Sequence, residues 1–163
     1  MVGYASPGRR GLFWRGLQGM PSWHLFPTGA GNADHAQFSP DGHWLAYESD
    51  QTGSSEIYVS RFPDGPTHRI STGGGQEPRW RTTGNELFYI GADDQLIAAD
   101  IANGFEHATS SVLFKGPFRR GSDGPIYDAS ADGQRFIILA SDNVDAPDTI
   151  DVILNWPSLL RKN

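Results

Sequence analysis

The chain contains no cysteine, which excludes disulfides, thiolate metal sites and cysteine nucleophiles. Long apolar runs are also missing. No stretch approaches the ~20 residues needed to cross a bilayer. Near the N-terminus, Arg15 cuts short the apolar run Gly11-Leu12-Phe13-Trp14, well below the seven or more residues of a signal-peptide core. The Arg9-Arg10 pair ahead of that run is therefore not read as part of an export signal. Positive charge is scarce, with 13 Lys and Arg against 19 Asp and Glu and a formal net charge of −6. All the acids follow residue 33, whereas residues 1–33 carry only Arg9, Arg10 and Arg15. Such a surface repels phosphate backbones, so nucleic acid is not an expected partner.

Glycine, proline and aromatic side chains are abundant: 20 Gly, 11 Pro and 12% Phe, Trp and Tyr in 163 residues. That is too much Gly and Pro for a helical bundle and too much aromatic content for a disordered tail. An all-β chain with many turns fits. Its organising feature is a repeat in which a turn leads into a hydrophobic strand. The three copies are Phe38-Ser39-Pro40-Asp41-Gly42-His43-Trp44-Leu45-Ala46-Tyr47, Trp80-Arg81-Thr82-Thr83-Gly84-Asn85-Glu86-Leu87-Phe88-Tyr89 and Ala129-Ser130-Ala131-Asp132-Gly133-Gln134-Arg135-Phe136-Ile137-Ile138. The turn glycines Gly42, Gly84 and Gly133 lie 42 and 49 residues apart, a period of propeller blades or helical repeats. The runs Trp44–Tyr47, Leu87–Ile90 and Phe136–Ala140 are short, continuous and rich in aromatic and β-branched residues, which decides for strands. Apolar character without alternation requires both faces of each strand to be buried.

Turn chemistry agrees. In Ser39-Pro40-Asp41-Gly42, proline presets φ at the first corner, aspartate suits the second, and glycine takes the left-handed position. Gly133 plays the same part after Asp132. The middle copy keeps Gly84 but has no aspartate, so its turn is expected to be the least specified. Second hairpins follow: Glu56–Val59 on Leu45–Glu48, Gln95–Ile101 on Glu86–Ile90, and Asp148–Trp156 on Arg135–Ser141. Outer strands are expected at His68–Thr72 and Ser110–Phe114. Gly73-Gly74-Gly75 reads as a flexible crossing to the next inner strand at Pro78–Arg81. Trp23–Thr28 reads as the last strand of an earlier blade.

The resulting fold class is all-β: four-stranded antiparallel β-propeller blades, three to four in number, forming an incomplete propeller. Residues 1–22 are read as a degenerate lead-in, and residues 23–163 as blades at 23–28 (the tail of one), 35–72, 78–114 and 126–156. Closed propellers have four to eight blades, so the chain is expected to be the C-terminal part of a larger propeller and to self-associate through its open blade faces.

These residues resemble the TolB-type, WD40-like (PD40) propeller repeat. Phe38–Ser49 carries its signature of an inner-strand hydrophobe, Ser-Pro-Asp-Gly and a Leu-Ala-Tyr strand. Residues 36–162 look like the C-terminal end of propellers in large bacterial proteins, many of them Ser/Thr protein kinases. Glu56-Ile57-Tyr58-Val59, Ile70-Ser71-Thr72-Gly73, Tyr127-Asp128-Ala129-Ser130 and Val152-Ile153-Leu154-Asn155-Trp156 carry that likeness. The resemblance implies a binding or sensing module, and a periplasmic or other extracytoplasmic setting if the TolB likeness holds. It also leaves open an accessory propeller of an enzyme, either a kinase's sensor region or the gate of a prolyl-peptidase-type hydrolase.

No catalytic, cofactor or metal residues are assigned. A glycine-rich phosphate loop, His-Arg-Asp and Asp-Phe-Gly are all missing, as is a Gly-x-Ser-x-Gly nucleophile elbow. Ser54 and Ser55 read as loop residues. The histidines His24, His35, His43, His68 and His107 stand singly. Asp93-Asp94 and Asp123-Gly124 lack the spaced oxygen ligands of a calcium loop. Asp41 and Asp132 read as turn formers; Trp44, Trp80 and Trp156 read as packing between blades rather than a ligand platform. Arg119-Arg120, in the Gly116–Gly124 loop, reads as a solvated segment, with docking of an acidic partner as the alternative.

Overall fold

A computed structural model describes residues 2–6, 8–18, 22–121 and 124–140. Within them the chain forms antiparallel sheets in sequence order, joined by turns and two single-turn 3₁₀ segments. The first sheet contains β1 (Val2–Ser6), β2 (Arg9–Trp14) and β3 (His24–Leu25). The second contains β4 (Ala33–Phe38), β5 (Trp44–Ser49), β6 (Glu56–Arg61) and β7 (Thr67–Arg69). The third contains β8 (Gln76–Trp80), β9 (Glu86–Ile90), β10 (Gln95–Asp100) and β11 (Thr109–Lys115). A fourth begins with β12 (Tyr127–Ala129) and β13 (Phe136–Ile138). Strands pair with their sequence neighbours in each sheet, and β2 packs on β4, β4 on β8 and β8 on β12. Successive four-stranded meanders stacked through their first strands are propeller blades.

Alternation along a strand decides which seam each side chain fills, because neighbouring residues point to opposite faces. On β5, Leu45 and Tyr47 join Leu12, Phe26, Ala33 and Tyr58 in a core between the first and second blades. Ala46, from the opposite face, joins Ile57, Val59, Ile70, Leu87, Tyr89 and Ala99 between the second and third. On β9, Leu87 and Tyr89 belong to that core, while Phe88 and Ile90 belong to the next, with Leu96, Ala98, Phe118, Ile126 and Tyr127. Every residue of β9 is buried, as are five of the six in β5. The continuous apolar runs thus have two dry faces. On β13 the expectation fails, since Ile137 is 74% exposed: the fourth blade has no further blade against its outer face among the described residues.

Differences from the sequence reading are local. Residues 1–22 include β1 and β2, whose pairing runs from Val2↔Leu12 to Ser6↔Arg9; their Gly- and Arg-rich composition hid the strands. Only His24–Leu25 of Trp23–Thr28 is strand, although the Phe26 amide still donates to Leu12 O at 2.8 Å. The outer strand expected at His68–Thr72 lies at Thr67–Arg69, because Ser71 turns inward and its hydroxyl accepts the Ile57 amide at 2.8 Å. The Gly73–Gly75 crossing is pinned rather than loose. Buried Glu56 accepts the Gly73 and Gly74 amides at 3.0 and 3.2 Å, and a Cβ on Gly75 would come within 2.7 Å of Ile57. The strand expected at Asp148–Trp156, and Trp156 itself, lie outside the described residues.

Two of the turns are built alike. The Ser39 hydroxyl donates to Asp41 Oδ1 at 2.5 Å and accepts the Trp44 amide at 3.0 Å, while the His43 amide donates to Asp41 at 3.0 Å. Ser130, Asp132, Gln134 and Arg135 repeat the pattern. The hydroxyl of Ser39, then the amide of His43, draw the Asp41 carboxyl down to about 2. In the middle copy Arg81 stands where the others have serine. It reaches Glu86 at 3.2 Å and Asp132 O, in the next blade's turn, at 2.6 Å. The turn that lacks aspartate is held instead by a contact between blades.

A strand with two dry faces makes a specific prediction. Leu87→Ala and Phe88→Ala, at adjacent positions, should each destabilise the chain by about 3 kcal/mol in denaturant titrations. A sheet wetted on one side would lose that much at only one of the two.

Candidate functional site

The inner strands β4 and β8 each carry an irregularity in their pairing, between Asp34 and Gln37 and between Gln76 and Arg79. Within each bulge one residue adopts a left-handed backbone: His35 at φ 50 and Glu77 at φ 56. Side chains other than glycine take that conformation at a cost of about 1 kcal/mol or more. The bulge re-aims the side chain, and here it sends both into one place. His35 Nδ1 lies 3.0 Å from Glu48 Oε2 on β5, and its Nε2 lies 3.2 Å from Glu77 Oε1 in the next blade.

Around this trio is a cavity of about 420 Å³, lined also by Arg10, Asp34, Gln76, Arg120, Gly121 and Ile126. Each rim charge has an internal partner. Arg10 meets Asp34 at 2.5 Å, and Arg79 meets Glu77 Oε2 at 3.0 Å. Arg120 bonds Asp94 at 2.7 Å and Gly91 O at 2.8 Å, and also reaches Gln76. Tyr127, from β12, donates its hydroxyl to Glu77 O at 2.9 Å, and Arg79 lies over its ring.

Environment sets the protonation of the trio. The hydrogen bond to Glu48 raises the His35 pKa, against burial, and the charges of Glu77, Glu48 and Asp34 add to the rise. Burial pushes Glu48 up, but bonds from His35 and Ser55 outweigh it and leave the carboxyl below its ordinary value. Burial lifts Glu77 above the usual carboxylate range despite His35 and Arg79.

The sequence reading placed none of these residues in a site. Ser55, read as a loop residue, donates to Glu48 Oε1. In the series Ser55, Glu48, His35 the carboxylate stands between the hydroxyl and the imidazole, which is not the order of a hydrolytic triad. Both ring nitrogens of His35 are already engaged, and no three His, Asp or Glu side chains among the described residues are arranged to hold a metal ion. Arg120 is exposed, in keeping with the solvated reading of Arg119-Arg120, and within that setting it is also tied to Asp94 of the tight Ala92–Asp94 turn. Arg9 and Arg10 also bridge blades. Arg9 donates to Gly31 O at 2.6 Å, and the Arg10 amide donates to Asn32 at 3.0 Å. Trp80 packs between blades as expected, its amide and indole N–H donating to Gln37 at 3.0 and 3.1 Å.

A signal for the site was present. His35, Glu77 and Ile126 each stand seven residues ahead of a turn glycine, and all three line the cavity. Equivalent positions of successive repeats converge there.

No family model matches the sequence, and no curated protein does. Solved structures do. TolB from Acinetobacter baumannii superposes with a TM-score of 0.57 at 15% identity, over 87% of this chain and 37% of that one. A structure described as putative TolB from Agrobacterium tumefaciens gives 0.48 at 24% identity, over 57% of this chain and 37% of that one. Oligogalacturonate lyase from Vibrio parahaemolyticus gives 0.47 at 17%, over 61% and 26%. The superposition on the Acinetobacter protein, with the stacked antiparallel sheets, gives the chain a TolB-like β-propeller fold, and the chain spans little more than a third of the length of the TolB structures it matches.

Replacing Arg120 by methionine keeps the side-chain length and removes the three contacts. The change should cost about 1–2 kcal/mol in chemical denaturation. Arg119→Met, on an exposed side chain, should stay within about 0.5 kcal/mol.

Proposed function

We propose that this chain is a non-catalytic binding or sensing module, part of a longer propeller, and that it takes a polar ligand, a peptide segment or a small molecule, in the cavity at β4, β8 and β12. The convergence of three equivalent repeat positions on one cavity is the observation that carries this reading. Propellers place their variable chemistry where inner strands meet, and concave sites with a few fixed polar groups are the usual ligand sites of a rigid scaffold. Both signs of charge line the cavity, from Arg10 and Arg120 to Asp34, Glu48 and Glu77, which suits a partner with hydrogen-bonding groups of both kinds. The TolB-like fold supports an extracytoplasmic setting. The other reading, an accessory propeller of a kinase or peptidase, draws on the sequence resemblance of residues 36–162.

The test is a titration of the ¹⁵N-labelled chain with the tripeptides Gly-Lys-Gly, Gly-Glu-Gly and Gly-Gly-Gly. Saturable shifts should gather at the amides of His35, Glu77, Gly121 and Ile126 for at least one charged peptide. Shifts confined to the outer strands β7 and β11, or no saturable response to any of the three, would contradict the proposal.

A further inference from the structure

His35 makes one hydrogen bond, to Glu48, and one ion-pair contact, to Glu77, and the two are not both attractive without an added proton. Both ring nitrogens face carboxylate oxygens, at 3.0 Å on Glu48 and 3.2 Å on Glu77. An ionised carboxylate only accepts, and a neutral imidazole has a single N–H. With both glutamates ionised, the hydrogen bond to Glu48 and the ion pair with Glu77 are both attractive only for the imidazolium. With a neutral ring, one nitrogen turns a lone pair toward a carboxylate, unless Glu77 itself carries the proton. The trio therefore holds one proton more than the same three groups hold in neutral water.

We infer that His35, Glu48 and Glu77 form a proton-operated latch between the second and third blades, closed over the cavity when the proton is bound and released at Glu77 when it leaves. Its two halves sit on different sheets, with His35 and Glu48 on β4 and β5 and Glu77 on β8. Once the contact is lost, water in the cavity reaches the ring of His35, which is 34% exposed, more readily than Glu77 and Glu48, which are 5% and 12% exposed. Release does not strand a bare carboxylate, since Glu77 Oε2 stays with Arg79. Other charges face the ring as well. Asp34 adds negative potential from β4 and is itself paired with Arg10 of β2, while Arg120 lines the cavity from the loop after β11. The Tyr127 hydroxyl on Glu77 O ties β12 to the same point.

The direction of the pH effect follows. His35 has a folded pKa above its ordinary 6.5, so its contribution is complete below 6.5 and disappears as the pH rises through the raised value. Glu48 lies below its ordinary 4.5; its contribution is present above 4.5 and lost as the pH falls through the lowered value. Glu77 lies above its ordinary 4.5, so as the pH falls it takes up a proton before Glu48 does, and the ionised latch is closed between that raised value and the raised value of His35. On the alkaline side it opens by losing the His35 proton.

Two signals of the chain test this without any ligand, so the result is independent of whether the cavity binds one. The first is the pair of imidazole ¹⁵N shifts of His35. The second is the exchange protection of the Trp80 indole N–H, corrected for intrinsic pH dependence, because that group bonds Gln37 O across the β4–β8 seam. In the wild type, His35 should titrate above 6.5, and indole protection should fall about tenfold through the same midpoint. In Glu77→Gln the amide can donate to a neutral ring, so the His35 midpoint should drop and indole protection should not change with pH. His35→Gln should likewise abolish the pH dependence, and the wild-type His35 titration decides the matter if neither variant folds. A His35 midpoint at 6.5 or below, or the same pH-dependent loss of protection in wild type and Glu77→Gln, would overturn the latch.

Discussion

One constraint governs this chain: adjacent residues of the second strand in a blade belong to different hydrophobic cores. Leu87 and Tyr89 pack toward the second blade, Phe88 and Ile90 toward the fourth. A blade alone cannot bury both sets. At about 25 cal/mol per Å² of apolar surface removed from water, the second and third sheets owe their stability to being packed between two others. Stability then accumulates seam by seam, as in other repeat proteins. The repeat spacing follows, because each unit must supply one complete sheet to both neighbours.

Tight seams leave little room for water, so the polar groups that fall within them find partners across them. Arg9 and Arg10 fasten the first blade to the entry of the second. Trp80 bonds Gln37 and Arg81 reaches Asp132 across the following seams. Glu56 gathers the amides of the glycine crossing. At the inner strands the same logic concentrates charge: the bulges at His35 and Glu77 break the ladder and turn two ionisable side chains into one seam. Burial without strong desolvation of a lone charge requires that they meet each other, and they do.

The strands and turns were legible because they are encoded locally. Proline, aspartate and glycine at fixed offsets specify the corner, and a continuous apolar run specifies two dry faces. The cavity was less legible for the opposite reason. His35, Glu48 and Glu77 are far apart in sequence, and nothing in their immediate neighbours marks them. Only superposing the repeats by their turn glycines brings His35 and Glu77 into register. Glu48, at the end of an apolar run, gives no local sign that it faces inward. The N-terminal strands were missed because Arg9, Arg10 and the glycines dilute the apolar pattern, and the partners that accept those arginines come some twenty residues later. The bonds of exposed Arg120 were not legible either, because its partner Asp94 lies in the Ala92–Asp94 turn, 26 residues earlier.

Amide hydrogen exchange tests the two-sided burial most directly. Leu45–Ser49 and Glu86–Ile90 should exchange only through global unfolding, with odd and even residues equally protected and both strands slower than β7 and β11. Fast exchange at every second residue of either strand, or protection no greater than that of the outer strands, would contradict the stacking of blades on which this account rests.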